Sequence, residues 1–102
     1  MILSGRARIA EADKPQMLIG DDLAVLGGVI YGANDNTDVL YIGDKNVSAD
    51  DTLSAGFELW PMGRFVIQEV FGLGAGETIN LHDLWIASQT ADTALRWILR
   101  VA

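Results

Sequence analysis

Apolar residues in this chain occur in short runs that glycines and Asn-Asp clusters separate, a spacing typical of strands joined by tight turns. Several runs alternate apolar and polar positions with the two-residue period of a β-strand. The pattern predicts strands at residues 6–11, 16–19, 24–31, 39–42, 57–60, 65–71, 78–81, 84–88 and 94–101. Strands of this length and spacing favour an all-β fold, a small antiparallel β-sandwich or jelly-roll-like domain.

Three segments carry more specific expectations. The run 39–42 is apolar at every position, which predicts a central strand buried on both faces. The preceding segment, residues 32–38, is rich in Gly, Asn and Asp and is interpreted as a hairpin loop. The glycine-rich residues 72–76 must turn between the strands predicted at 65–71 and 78–81.

The last segment, residues 91–102, fits two patterns. Leu95, Trp97 and Leu99 alternate with Arg96 and Arg100 as in a strand, but the apolar positions of the segment also fit a helical stripe. The β-rich character of the rest of the chain favours a strand.

The chain has 102 residues, a length typical of one domain. We expect a single β domain over residues 1–102, with residues 1–8 as an N-terminal arm. Cysteine is absent, which excludes disulfides and zinc–thiolate sites. The N-terminal stretch is too polar for the apolar core of a signal peptide, and no run approaches the roughly 20 apolar residues of a membrane helix, so no membrane partner is expected.

Charge is unevenly distributed along the chain. The formal net charge is −7, and residues 21–58 hold eight acids against Lys45 alone. The seven bases are scattered along the sequence, whereas phosphate contacts need clustered Lys and Arg, so direct nucleic-acid binding is not expected.

Side chains suited to catalysis are sparse. His82 is the single histidine, and Asp83 beside it would point to the opposite side of a strand. Ser48, Ser54 and Ser88 are not in a nucleophile-elbow sequence. The sequence therefore predicts that the protein is not an enzyme; the alternative from that class is a carbohydrate-active enzyme built on the carboxylates of Glu58 and Glu69.

Patterns for bound ligands are incomplete. Glu77 stands where a dinucleotide fingerprint would place its third glycine after residues 72–76. Two groups of oxygen-bearing side chains lack the spacing of a twelve-residue calcium loop: Asn34, Asp35, Asn36 and Asp38, and Asp44, Asp50 and Asp51. We expect no cofactor and no metal.

Five residues are candidates for contacts with other proteins. Trp60, followed by proline, is the tryptophan most expected at an interface. Leu73 and Gly74 in the glycine loop could insert into a neighbouring subunit. Arg6 and Arg8 on the N-terminal arm could contact the same partner.

A longer pattern resembles small structural proteins of tailed bacteriophages. Residues 28–43 read GVIYGANDNTDVLYIG, followed by NVSA at 46–49 and LSAG at 53–56. The phage group has a strand, an Asn-rich turn, a VYVG strand, a VTA step and an LxxGE turn in this order. Near the C-terminus, LWIA at 84–87, TA at 90–91 and LRWI at 95–98 stand where that group has LYVIA, AG and VRVL. Two departures are Phe57, in place of the usual glutamate, and an added segment at 62–80.

The resemblance implies a virion structural protein that is assembled in the host cytoplasm. Its expected role is that of a capsid decoration, or cement, protein: a homotrimer that binds the outer surface of a phage head and stabilises it. The partner would be the major capsid protein or another virion protein. The alternative is a tail or fibre-associated module that recognises the host surface. No catalytic residues carry over.

Overall fold

The computed structural model describes residues 1–49 and 56–102, and within them the chain forms nine strands and two short helices. The strands are β1 (Ile2–Arg8), β2 (Gln16–Met17), β3 (Ala24–Gly32), β4 (Leu40–Gly43), β5 (Phe57–Leu59), β6 (Arg64–Val66), β7 (Ile79–Asn80), β8 (Trp85–Ser88) and β9 (Ala94–Val101). Helix α1 spans Ile67–Val70, and a 3-10 helix spans Leu81–Asp83.

The strands form two antiparallel sheets. Sheet A has the order β1-β9-β3-β6, with β7 also paired to β3, and sheet B has the order β2-β8-β4-β5. The sheets pack against each other, which confirms the prediction of an all-β sandwich-like domain.

The main core lies between the sheets and is built from alternate residues of each strand. Ile30 of β3, Leu95 and Leu99 of β9, Phe65 of β6 and Ile86 of β8 are each at most 1% exposed. Burial of one such side chain contributes about 1.5–3 kcal/mol relative to leaving it in water, so this two-residue alternation provides most of the driving force for folding.

Strand β4 is buried on both faces, as predicted. It lies between β5 and β8 in sheet B. Leu40 and Ile42 pack into the main core, whereas Tyr41 packs on the other face in a second cluster with Val47 and Ala87. The segment that follows β4 therefore folds back over the outer face of sheet B.

The C-terminal segment is a strand, which confirms the choice between strand and helix. Strand β9 pairs with β3 on one side and with β1 on the other. Its inward residues are buried and Arg96, Ile98 and Arg100 are exposed, the alternation expected of a half-buried strand.

The N-terminus differs from the prediction of a strand at 6–11 preceded by an arm. Residues Ile2–Arg8 form strand β1, which pairs with β9 along its whole length. The indole of Trp97 packs beneath Gly5, where an added Cβ would lie 2.6 Å from the ring. The segment thus covers the core, and its glycine is required by the close approach of the ring.

Residues 32–38 do not form a hairpin loop, because β3 belongs to sheet A and β4 to sheet B. The segment instead crosses between the sheets. Asn36 holds the crossing in place: its Nδ2 donates to the Ala94 carbonyl at 2.7 Å, and its Oδ1 accepts from the Ala94 amide at 2.9 Å. A side-chain amide thus pairs with β9 where a strand would.

The strand predicted at 65–71 ends at Val66 and continues as α1. On this side of β3, β6 pairs with Val29–Tyr31 and β7 with Ala24–Val25, which leaves a gap between the two strands. The turn of α1 brings Gln68 to this gap between β6 and β7, where Gln68 Oε1 accepts a hydrogen bond from the Gly28 amide at 3.0 Å. A side chain replaces the missing strand there.

The strand predicted at 78–81 is confined to Ile79–Asn80. Asn80 ends it, since Asn80 Oδ1 accepts from the His82 amide and caps the 3-10 helix. The glycine-rich segment does turn between β6 and β7, but both strands pair with β3 and not with each other.

Replacement of Gly28 by alanine is expected to destabilise the fold by about 1–3 kcal/mol. Gly28 has a φ of +145°, and a Cβ there would lie 2.4 Å from the Ile98 carbonyl oxygen. The control is Gly20→Ala, where nothing lies within 4 Å. Urea denaturation measures both, and equal stability of the two variants would contradict this account of β3.

Asn36→Ala should lower the free energy of unfolding by about 1–3 kcal/mol, because it leaves the Ala94 amide without its partner. It also removes one of the two hydrogen bonds to the Ala94 carbonyl, which still accepts from the Ala33 amide. Asn34→Ala is the matched control, since Asn34 is exposed in the same segment. Thermal denaturation distinguishes the two variants. An equal loss of stability in Asn34→Ala would exclude the bridging role of Asn36.

Candidate protein-binding surface

All five arginines of the chain lie on the outer face of sheet A. Arg6 and Arg8 belong to β1, Arg96 and Arg100 to β9, and Arg64 to β6, and all five side chains are exposed. Their common side follows from the strand registers, because directly paired residues of an antiparallel sheet share a face. We call this surface, with Val29, Tyr31 and Ile98 between the arginines, the arginine face.

Three of the arginines lie in one row across four strands. Arg6 is directly opposite Arg96, Arg96 is opposite Tyr31, and Tyr31 is opposite Arg64. The Arg6–Arg96 pair is of the non-hydrogen-bonded kind, in which side chains approach most closely. Like charges directly opposite each other destabilise a sheet, so this row works against folding.

None of the five arginines forms an ion pair with any residue that the structure describes. The charged pair found there is Lys14 with Glu11, and His82 lies near Asp83. The described strands of sheet A contain no acidic residue. Asp21, Asp44 and Glu58 lie elsewhere, whereas Asp35 and Asp92 line a depression together with Arg6, Arg8 and Arg96. The arginine face is therefore a cationic surface, bordered at one end by two acids, on a chain of net charge −7.

Apolar side chains are exposed among the arginines. Ile98, in the row beside Arg96, is 49% exposed, and Met62 is 73% exposed. They border a shallow depression of about 510 Å³ that is lined by Val29, Tyr31, Gly32, Ala33, Asn34, Met62, Arg64, Arg96 and Ile98. Large exposed apolar groups next to guanidinium groups are typical of protein interfaces.

The interface residues predicted from sequence lie on the arginine face or at its borders. Arg6 and Arg8 are on it. Trp60 is 60% exposed, and its carbonyl lies against Gly32 at the edge of the depression. Leu73 and Gly74 border a second depression next to Arg100.

Leu73 is not the projecting loop tip that the sequence suggested. It is partly buried and packs against the main core, and its amide donates to the Gln68 carbonyl at 3.0 Å. Gly74 is fixed as well, because its amide donates to Glu77 Oε1 at 2.7 Å. The glycine loop is a tight turn closed by the Glu77 carboxylate.

The sequence pattern did not identify five residues of the arginine face as site residues: Arg64, Arg96, Arg100, Tyr31 and Ile98. The interpretation of the bases as scattered is wrong for the arginines, since the fold gathers them on one face. The alternation of arginines with buried residues in β9 was a signal that they point outward. What the sequence could not supply was which strands lie beside β9.

The candidates for catalysis are not brought into a common site. His82 lies in the 3-10 helix, not on a strand, and its Nδ1 is 3.7 Å from Asp83 Oδ1 with both side chains exposed. Ser88 is buried and its Oγ donates to the Val39 carbonyl. Glu58 and Glu69 are exposed on β5 and α1, and Ser54 lies outside the described residues.

Two aspartates from the groups considered for calcium accept hydrogen bonds from backbone amides. Asp38 Oδ1 accepts from the Val39 amide, and Asp44 Oδ1 accepts from the Asn46 amide. Asp50 and Asp51 lie outside the described residues. In the described part of the chain, no three His, Asp or Glu residues are grouped closely enough to hold a metal ion. Nor does that part contain a helix of the length and apolarity needed to cross a membrane.

Comparisons with protein-family models, with curated proteins and with solved structures found no match to this chain. A proposal for its function therefore depends on the arginine face and on the resemblance described above.

Arg6→Thr should stabilise the free protein by about 0.2–1 kcal/mol at low salt, because it removes the like charge opposite Arg96. Arg8→Thr is the matched control two residues along the same strand, since Arg8 is opposite Ala94. The gain in stability of Arg6→Thr should become small near 1 M salt, where the Debye length is about 3 Å. Denaturation at the two salt concentrations tests this, and a destabilised Arg6→Thr protein would show that the row supports the fold.

Proposed function

We propose that this chain is a structural protein of a phage particle, a decoration protein that binds the outer surface of the head through its arginine face. The observation that carries the proposal is the row of Arg6, Arg96 and Arg64, exposed and without ion pairs among the described residues. An arrangement that costs stability in the free protein is expected where binding requires it. The phage resemblance supplies the kind of partner.

A protein surface suits the arginine face better than a nucleic acid does. Ile98 and Met62 are exposed beside the guanidinium groups and would remain in contact with water on a phosphate backbone. Arg, Tyr and Met are also residues that protein interfaces favour. We infer an acidic, partly apolar partner surface, on the major capsid protein or another virion protein.

Retention on a particle does not require a large interface at each site. A shell presents many identical sites, so a homo-oligomer that binds several of them at once gains avidity without new contacts. Because such a protein binds the assembled shell and not its separated subunits, it shifts the assembly equilibrium towards the shell. Stabilisation of the head is the consequence, and no catalytic step is involved.

The test is co-sedimentation of the protein with purified heads that lack it. Arg6→Glu together with Arg96→Glu should lower the affinity by at least about tenfold, which corresponds to about 1.4 kcal/mol. Lys45→Glu is the control, because it adds negative charge at an exposed position outside the arginine face. Binding of the unaltered protein should weaken as the salt concentration rises.

Three outcomes would overturn this proposal. Equal binding by the arginine variant and the Lys45→Glu control would remove the arginine face from the interface. Binding to double-stranded DNA that the arginine variant abolishes would assign the face to nucleic acid. Binding to host envelopes but not to heads would indicate the tail or fibre-associated module.

A further inference from the structure

Sheet A has one long edge, strand β1, which pairs with β9 and with no other strand among the described residues. Strand β1 has seven residues, whereas the strands at the edges of sheet B, β2 and β5, have two and three. The opposite edge of sheet A is divided between β6 and β7, with Gln68 between them. Short or interrupted edge strands pair poorly with other chains, whereas a long regular edge strand presents a row of backbone groups with which another chain can pair.

The outward backbone groups of β1 can be identified from its hydrogen bonds. The Met1 carbonyl accepts from Val101, and the amide and carbonyl of Ile9 both bond to the segment before β9. Odd-numbered residues therefore face β9, and the amides and carbonyls of even-numbered residues point away from the sheet. Those of Ile2, Ser4 and Arg6 have no partner in the part of the chain that the structure describes.

The open stretch is closed at one end by a side chain. Gln16 Nε2 donates to the Arg8 carbonyl at 2.9 Å, and Gln16 Oε1 accepts from the Ala10 amide at 2.8 Å. If another strand paired with β1 beyond Arg6, it would displace the side-chain amide of Gln16. The free part of the edge thus runs from Ile2 to Arg6, and its middle residue is Ser4.

We propose that two copies of this chain pair through β1, antiparallel and about a two-fold axis at Ser4. This register uses every free outward group from Ile2 to Arg6 and forms about six backbone hydrogen bonds, two for each of three residue pairs. The occupant is a second copy because the free stretch is complementary to itself. Ile2 would lie opposite Arg6 of the partner subunit, and Ser4 opposite the partner's Ser4.

Charge permits this register, and apolar exposure favours it. The two Arg6 side chains would lie roughly 14 Å apart along the strands, and the partner's Arg6 would lie about 10 Å from Arg100, across Ile2. Both separations are at or beyond the Debye length of about 10 Å at 0.1 M salt. On the inner face Leu3 would lie opposite the partner's Gly5, which has no side chain to clash. The pairing covers the apolar N-terminus, where Met1 is 87% and Ile2 is 68% exposed.

The pairing goes beyond the proposed function but is compatible with it. A two-fold axis perpendicular to the sheet keeps both arginine faces on the same side of one continuous sheet, so the dimer would present two of them to one surface. It also predicts a dimer, where the phage resemblance implied a trimer.

Sedimentation velocity over a range of concentrations tests the association. The unaltered protein should shift from monomer to dimer, and Ser4→Pro should remain monomeric with an unchanged denaturation curve. Proline is tolerated at an edge position whose amide faces solvent, so it blocks the new pairing without breaking the β1–β9 ladder. A protein that stays monomeric at millimolar concentration, a trimer, or a Ser4→Pro protein that still dimerises would overturn the proposal.

A cysteine variant tests the register without relying on proline. The chain has no cysteine, so Ser4→Cys introduces a single thiol. Opposed Cα atoms in a hydrogen-bonded pair are about 5.5 Å apart, within the range of a disulfide. Mild oxidation should link Ser4→Cys into dimers much faster than Thr78→Cys, an exposed control. Equal rates would exclude the axis at Ser4.

Amide hydrogen exchange separates this inference from the proposed function. The amides of Ser4 and Arg6 should become protected as the concentration of the protein alone rises, whereas Gly5 and Ala7 should be protected throughout. Protection of Ser4 and Arg6 only in the presence of heads would assign the edge to the shell protein and overturn self-pairing. If the unaltered protein dimerises but does not bind heads, only the proposed function is overturned.

Discussion

The pairing of β9 with β1 on one side and β3 on the other is the constraint on which the rest of the structure depends. It joins the last strand of the chain to the first and to the longest, so sheet A cannot form until both ends of the sequence have met. Because side chains alternate along β9, the same pairing determines which residues enter the core and which lie on the outer face of the sheet. Leu95 and Leu99 enter the core, and Arg96 and Arg100 face outward.

Much of the fold could be predicted from local pattern, because a buried strand must be apolar at alternate positions or at all of them. The run at β4 is apolar throughout, and the structure buries it on both faces. Local pattern could not show where side chains replace strands. Gln68 and Asn36 each bond to a strand at a place where another strand would otherwise pair. Their sequence positions do not show this, because their partners, Gly28 and Ala94, are distant in the sequence. The hairpin predicted at residues 32–38 was wrong for the same reason, since the strands on either side of it belong to different sheets.

The candidate site was harder to predict than the fold because it exists only across strands. Arg6 and Arg96 are 90 residues apart in the sequence, and the register of β1 on β9 places them side by side. A shift of one residue would send Arg6 towards the core and remove the row. The buried face fixes that register, since Gly5 must lie over the Trp97 ring. The packing of the core thus determines the arrangement of charge on the opposite face.

This coupling explains how the molecule maintains a row of arginines that form no ion pair with the residues the structure describes. Like-charge repulsion at the surface costs only a few tenths of a kcal/mol to about 1 kcal/mol, whereas each buried strand residue contributes more. The fold can therefore accept the row without losing its register. Neutral residues at the same positions would avoid the repulsion, so packing gives no reason for the arginines. The proposed contact with an anionic surface gives one, because such a contact would turn the repulsion into attraction.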